Sequence, residues 1–233
     1  MAILATTNST PRELIPQGNY VARCYKMIEI GTVTELINGE QKQLKKVMIG
    51  WEFPNDQKVF DETKGEQPIV VSEEYTLSMG EKSNLRKMLE SWRGKGFSAD
   101  EAKSFDISNL IGKPCMINII HTPKKSDPSK FYDKISSVTG VPKGMSVPPQ
   151  INNTFILSYD SFDWDKYNSL PDWIKNKIKA SVEFQKLMSF NSGPGNGHPD
   201  GRPAPARDTK GNVLDGPATE FIQPVTTEDD LPF

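Results

Sequence analysis

The segment at residues 45–53 constrains the fold of this chain more than any other. In it Val47, Ile49, Trp51 and Phe53 alternate with Met, Gly and Glu. Such alternation is typical of a β-strand with one apolar face, because successive strand side chains point to opposite faces. The sequence therefore predicts a sheet whose core lies on the side of these four residues.

A hairpin is predicted around a polar connection. Residues 20–30 are rich in β-branched and aromatic side chains, and Asn38 and Gly39 separate them from residues 45–53. Asn-Gly between two such segments is a strong turn signal, because both turn positions need a positive φ. A third β-rich segment is found at residues 69–79.

One helix comes after the third strand. Leu85, Met88, Leu89 and Trp92 recur at the spacing of a helical face, which predicts a helix over residues 81–92. The candidate caps are Ser83 or Gly80 at its start and Gly94 and Gly96 at its end.

Two more strands complete the predicted sheet. After a short helical turn at residues 105–109, the fourth and fifth strands are residues 115–121 and 131–138, with a basic loop between them. Three strands, a helix and two strands is the element order of an OB-fold, a small Greek-key barrel whose first and last loops flank its binding face. The predicted fold class is mainly β (α+β), a five-stranded OB-fold barrel.

The last third of the chain departs from this pattern. Residues 155–159 predict a short strand, and residues 171–187 predict an amphipathic helix that packs on the barrel or on another subunit. Residues 191–233 hold six Gly and seven Pro among 43 residues, which predicts a disordered, flexible linker. The apolar side of the helix consists of Trp173, Ile174, Ile178 and Val182.

Charge and composition exclude some classes of protein rather than indicate one. The net charge is -2, and residues 191–233 hold seven acidic and three basic side chains, so a slightly basic body carries an acidic tail. Only a local cluster of cations would indicate a nucleic acid. No stretch approaches the roughly 18–20 apolar residues of a membrane span, and the N-terminal residues lack signal-peptide features, so we expect a cytoplasmic protein.

Catalytic and metal-binding signals are weak. Cys24 and Cys115 have no neighbouring Cys or His, which favours buried thiols over a zinc site or a disulfide. Phosphate-loop, nucleophile-elbow and zinc-protease motifs are missing, so we expect neither an enzyme nor a cofactor. Asp160, Asp163 and Asp165 leave a metal-dependent nuclease open, since carboxylates hold magnesium, and a polar loop is the alternative.

The sequence ends on an acidic segment that closes with Pro and Phe. Phe233 carries both an aromatic ring and a terminal carboxylate, which peptide-binding pockets can capture, and a solvated terminus is the alternative. This end resembles the acidic tip of bacterial and phage single-stranded DNA-binding proteins. The resemblance implies that replication, recombination and repair proteins bind the tip, which consists of Asp229, Asp230, Leu231, Pro232 and Phe233.

The body carries a second resemblance. Residues 109–121 (Asn-Leu-Ile-Gly-Lys-Pro-Cys-Met-Ile-Asn-Ile-Ile-His), 131–135 and 141–144 are similar to a family of small phage-encoded proteins that accompany replication and recombination genes. Some members of that family are regarded as single-stranded DNA-binding, and the similarity spans roughly residues 20–187. It implies a protein that coats single-stranded DNA in the bacterial host cytoplasm.

Binding of single strands requires cations for the phosphates and aromatic faces for the bases. Strand alternation places Arg23 and Tyr25 on the face opposite the core, and core packing is the alternative for Trp51 and Phe53. The candidate residues are Arg23, Tyr25, Lys42, Lys45, Lys46, Trp51, Phe53, Arg93, Lys124, Lys125, Lys130, Phe131, Tyr132 and Lys134.

These inferences divide the chain into four parts. They are an irregular arm (1–18), an OB-fold nucleic-acid-binding domain (19–147), a helical extension (148–190) and a flexible linker with an acidic tip (191–233). A protein-only adaptor that uses the barrel as a docking surface remains a third hypothesis, and a homo-oligomer is also open.

Overall fold

The structure, a computed structural model, describes residues 13–191. Its main elements are five antiparallel strands: β1 (Gly18–Ile37), β2 (Glu40–Asp61), β3 (Gly65–Thr76), β4 (Pro114–Lys124) and β5 (Asp127–Thr139). They pair in the order β3-β2-β1-β4-β5 and curve into a nearly closed barrel. The fold is mainly β, as the sequence predicts.

The hairpin between β1 and β2 turns at the predicted residues. Asn38 and Gly39 have φ values of 52° and 83°, the positive values that a tight hairpin turn requires. Both strands are longer than predicted, because the polar residues on each side of the turn also pair. Two register shifts in β1, after Cys24 and after Glu29, bend the strand, so that its start pairs with β4 and its remainder with β2.

Helix α1 (Asn84–Arg93) packs against the barrel with the predicted face. Ser83 caps it by accepting a hydrogen bond from the Arg86 backbone N–H at 3.1 Å, and Gly94 ends it in the left-handed region at φ 71°. The buried residues are Leu85, Met88, Leu89 and Trp92. Beyond it, α2 (Ala99–Ser104) and a 3₁₀ turn (Ile107–Leu110) replace the single predicted turn.

The extension adds one strand and three helices. Strand β6 (Phe155–Leu157) pairs in parallel with β1, and α3 (Trp164–Ser169), α4 (Asp172–Lys179) and α5 (Val182–Asn191) come after it. The single helix predicted at residues 171–187 is therefore divided. Ser181, which is fully buried, accepts from the Phe184 backbone N–H at 3.2 Å and donates to Ile178 O at 2.7 Å, so it caps α5. No helix within residues 13–191 has the length and apolarity of a membrane span.

The extension covers the outer face of β1 and β2. Ile28, Ile30 and Met48 point away from the barrel core and are at most 4% exposed. They pack with extension residues in a second apolar cluster that includes Leu157, Tyr167, Leu170, Ile174, Ile178 and Phe184. The barrel therefore has one core inside and another between its β1–β2 wall and the extension.

Two carboxylates fasten the extension to β1. Glu29 accepts hydrogen bonds from the Tyr159 backbone N–H at 3.0 Å and the Ser158 hydroxyl at 3.1 Å, and it pairs with Lys45 at 2.7 Å. Glu183 accepts from the backbone N–H and hydroxyl of Thr32 at 2.6 and 2.7 Å. The hydrogen bonds in both contacts are strongest when the carboxylate is ionised.

We expect acid to loosen the extension. Burial raises the pKa of Glu29 and Glu183, but their hydrogen bonds outweigh burial and hold each pKa below its ordinary value. A lowered pKa adds stability above the unfolded value of about 4.3, and that stability is lost as pH falls through the folded pKa. Amide hydrogen exchange, corrected for intrinsic rates, should therefore accelerate in α3–α5 between about pH 6 and about pH 3.

The matched variant is the double substitution Glu29→Gln with Glu183→Gln. It should flatten this pH dependence, because neither amide titrates. Equal acceleration in the variant and the unaltered chain would assign the effect to other carboxyls.

Candidate nucleic-acid interface

The predicted binding face on β1 is occupied by the chain itself. The Arg23 guanidinium donates to Pro148 O at 2.6 Å through Nε and to Gly112 O at 2.7 Å through Nη1. Tyr25 is half-buried, and burial, with a smaller contribution from Glu52, raises its pKa to about 12. The structure therefore partly covers the face on which Arg23 and Tyr25 are predicted to be open, because alternation does not show what covers a face. Their assignment to DNA contacts stays a prediction.

Glu52 holds this cover in place. Its carboxylate is fully buried and accepts three hydrogen bonds, from the Ile151 N–H at 2.6 Å, the Asn152 N–H at 2.8 Å and the Asn152 side-chain amide at 2.6 Å. Nothing in the local sequence signals this role, since Glu52 stands at an outward position of an alternating strand.

The candidate lysines Lys42, Lys45 and Lys46 all lie on β2 and are paired. Lys42 lies 3.2 Å from Glu40, and Lys45 contacts the Glu29 carboxylate described above. Lys46 lies 3.0 Å from Glu35 and is only 9% exposed. These three cations are already largely neutralised, which weakens the prediction that they bind phosphates.

Three further candidates are buried. Trp51 and Phe53 have no exposed surface and belong to the barrel core. The Arg93 side chain is 2% exposed, with its guanidinium 4.1 Å from the centre of the Phe97 ring and 3.1 Å from Glu101. These side chains present almost no surface to a base or phosphate in this structure, which weakens the prediction that they contact DNA.

The β4–β5 hairpin keeps its candidates exposed. Phe131 and Tyr132 are 48% and 40% exposed, and Lys134 is exposed on the same strand. Lys124 and Lys125 are exposed at the turn, and Lys130 lies 3.2 Å from Asp127. The remaining predicted site is therefore on β5 and the turn before it.

Strand β5 borders an open groove. Strands β3 and β5 are the two ends of the strand order, and the space beside them forms two adjoining cavities that share Glu73, Glu74, Lys134 and Ile135. We call this space the seam groove. Its aromatic end, about 550 Å³, includes Val70, Tyr132 and Trp173. Its lysine end, about 890 Å³, includes Lys46, Lys82, Lys87 and residues from the start of α1.

Rings from two parts of the chain line the aromatic end. Tyr132 comes from β5, and Trp173 comes from α4 and is 53% exposed. Lys177 Nζ lies 6.0 Å from the centre of the Trp173 ring. The helical pattern predicts Trp173 on the packing side of its helix, whereas the structure exposes it. One signal in the sequence could have placed Trp173 on the exposed side of the helix. Trp173 and Lys177 are one helical turn apart, on a row next to that of the buried Ile174 and Ile178.

The lysine end contains cations that are not neutralised. Lys82, Lys87 and Lys134 form no ion pair with any residue in the described part of the chain. Glu74 is paired with Lys177 at 2.6 Å. Glu73 accepts a hydrogen bond from Tyr75 Oη at 3.0 Å, and burial raises its pKa. The groove therefore combines unpaired cations with exposed rings.

The acidic trio does not form a metal cluster. Asp163 caps α3 by accepting from the backbone N–H groups of Asp165 and Lys166 at 2.9 and 3.0 Å. Between residues 13 and 191, no three Cys, His, Asp or Glu side chains are grouped to hold a metal ion. Cys24 and Cys115 are buried free thiols, and burial raises the pKa of Cys24 to about 12.

The predicted partner-binding tip, residues 229–233, lies outside the described residues, as do residues 1–12 of the arm and 192–228 of the linker. Comparison of the chain with protein-family models, curated proteins and solved structures finds no match.

Proposed function

We propose that this protein binds single-stranded DNA along the seam groove. The observation that carries the proposal is the pair of exposed rings, Tyr132 and Trp173, at one end of a groove that also contains Lys134. Exposed aromatic faces stack on bases of any sequence, and nearby cations attract the phosphates between them. A duplex offers no such base faces.

The architecture supports the same proposal. The strand order β3-β2-β1-β4-β5, with α1 between β3 and β4, is the arrangement that we propose to be an OB-fold. OB-folds frequently bind oligonucleotides. Function still depends on the groove residues, because one fold serves many kinds of binding.

In this proposal the protein coats exposed strands during phage replication or recombination and does not itself carry out chemistry. The acidic tip, residues 229–233, recruits replication, recombination and repair proteins, and the preceding Gly/Pro-rich linker keeps such partners close to the DNA. Support for the tip comes from its sequence resemblance alone.

Tryptophan fluorescence tests the proposal directly. Of the four tryptophans, Trp51 and Trp92 are at most 2% exposed and Trp164 is partly buried against the second apolar cluster, whereas Trp173 is 53% exposed and lines the groove. Addition of a homopyrimidine oligonucleotide should therefore quench the emission of Trp173. The affinity should fall as salt rises, because phosphate binding releases counterions.

Two controls accompany this titration. Duplex DNA of equal length should quench weakly, and a chain that ends at Glu228 should keep its affinity for the single strand. Absence of binding at low salt would reject the DNA proposal in favour of the adaptor. Magnesium-dependent cleavage of the oligonucleotide would favour the nuclease.

A further inference from the structure

We infer that the lysine end of the seam groove binds the sugar-phosphate backbone of the same strand whose bases stack at the aromatic end. The strand would then cross the barrel along β3 and β5 and pass the start of α1. This inference rests on the proposed function and assigns the path of the strand within it.

The first support is the distribution of unpaired cations. Lys82 and Lys87 approach the groove from the α1 side, and Lys134 approaches from β5. None of the three forms an ion pair within residues 13–191, unlike the paired Lys42 and Lys45 on β2. A phosphate entering this end meets Lys82 and Lys87 without first displacing a carboxylate, and Lys134 lies across the groove beside Glu73.

The second support is the polar lining around these cations. Six serine and threonine side chains border the lysine end, among them Ser78, Ser91, Ser136 and Ser137. Lysine and hydroxyl side chains are among the groups that contact phosphate oxygens in protein–DNA complexes. Small-molecule pockets are instead mainly apolar, so this lining favours an extended polyanion.

The third support is the orientation of α1. Ser83 and Asn84, at its N-terminal end, line the groove, and its first turn contains no acidic residue. The N-terminal end of a helix carries a partial positive charge that favours anions. The helix thus adds to the field of Lys82 and Lys87.

The carboxylates in the groove do not cancel this field. Glu74 is held by Lys177 at 2.6 Å and lies 3.9 Å from Lys46. Glu73 is half-buried, accepts from Tyr75 Oη and faces Lys134. Neither carboxylate forms an ion pair with Lys82 or Lys87.

The test is the salt dependence of oligonucleotide binding in the full chain with Lys82→Gln and Lys87→Gln. The slope of log K against log salt is negative, and each lost phosphate contact makes it shallower by about 0.7 for a single strand. The slope of the double variant should therefore be smaller in magnitude by about 1.4, which corresponds to about tenfold weaker binding at about 0.2 M salt and a larger loss at lower salt. Quenching of Trp173 reports the binding.

The matched control is Lys95→Gln with Lys143→Gln, two exposed lysines that do not line the seam groove. It makes the same charge change and should keep the slope within about 0.3 of the unaltered chain. Thermal melting of both variants checks that the fold is retained.

Three outcomes separate the two proposals. If both double variants give equal slopes while the unaltered chain binds, the lysine end is not the path of the backbone and the proposed function stands. If the unaltered chain does not bind single strands, both proposals fail. A slope reduced only in the groove variant supports the inferred path.

Discussion

Replacing Tyr132 and Trp173 together by alanine is expected to lower the affinity for single-stranded DNA about thirtyfold or more. Each base stacked on an aromatic ring contributes about 1–3 kcal/mol, so two lost stacks cost about 2 kcal/mol at the least. Both rings are exposed, so their removal should leave the barrel core unchanged. Fluorescence anisotropy of a labelled homopyrimidine oligonucleotide measures the effect without depending on tryptophan.

The matched control is Phe60→Ala. Phe60 is 60% exposed on the β2–β3 hairpin and does not line the seam groove. Its loss should leave the affinity within about twofold of the unaltered chain. If the double variant binds as tightly as this control, bases do not stack at the aromatic end.

The second large effect is expected for stability. Glu52→Ala should lower the free energy of unfolding by about 3 kcal/mol, because it leaves three donors of Ile151 and Asn152 without their acceptor. An unpaired donor costs about 1–3 kcal/mol where it is buried, and because Ile151 and Asn152 are partly exposed, water recovers part of that cost. Urea unfolding followed by circular dichroism measures the change.

Glu66→Ala is the control for this substitution. Glu66 is exposed on β3, and its loss should change stability by about 0.5 kcal/mol or less. A Glu52→Ala variant as stable as this control would mean that residues 147–152 stay in place without the carboxylate.

Local patterns predicted the barrel well. Alternation at residues 45–53 identified the inward face of β2, and Asn38 with Gly39 marked the turn, because neighbouring residues determine both features. The buried face of α1 was predicted from helical spacing in the same way.

The candidate site was harder to predict because distant contacts decide it. Arg23 stands on an outward face, yet residues about 125 positions later in the chain cover it. Lys46 is a candidate for phosphate binding at the start of a predicted strand, yet this lysine is buried beside Glu35. Helical spacing could have set Trp173 apart from Ile174 and Ile178, but the groove it lines depends on where α4 docks on β1 and β2, and that docking is a distant contact.

The barrel needs residues 148–191 to bury the apolar outer face of β1 and β2. A fragment that stops before residue 148 would expose Ile28, Ile30 and Met48 to water and leave the Arg23 guanidinium without Pro148 O as an acceptor. It would also lack Trp173. An isolated barrel would therefore tend to aggregate through the exposed apolar face of β1 and β2, and it would lack one of the two rings that the proposed function assigns to base stacking. The shortest fragment suited to biochemistry reaches the end of α5.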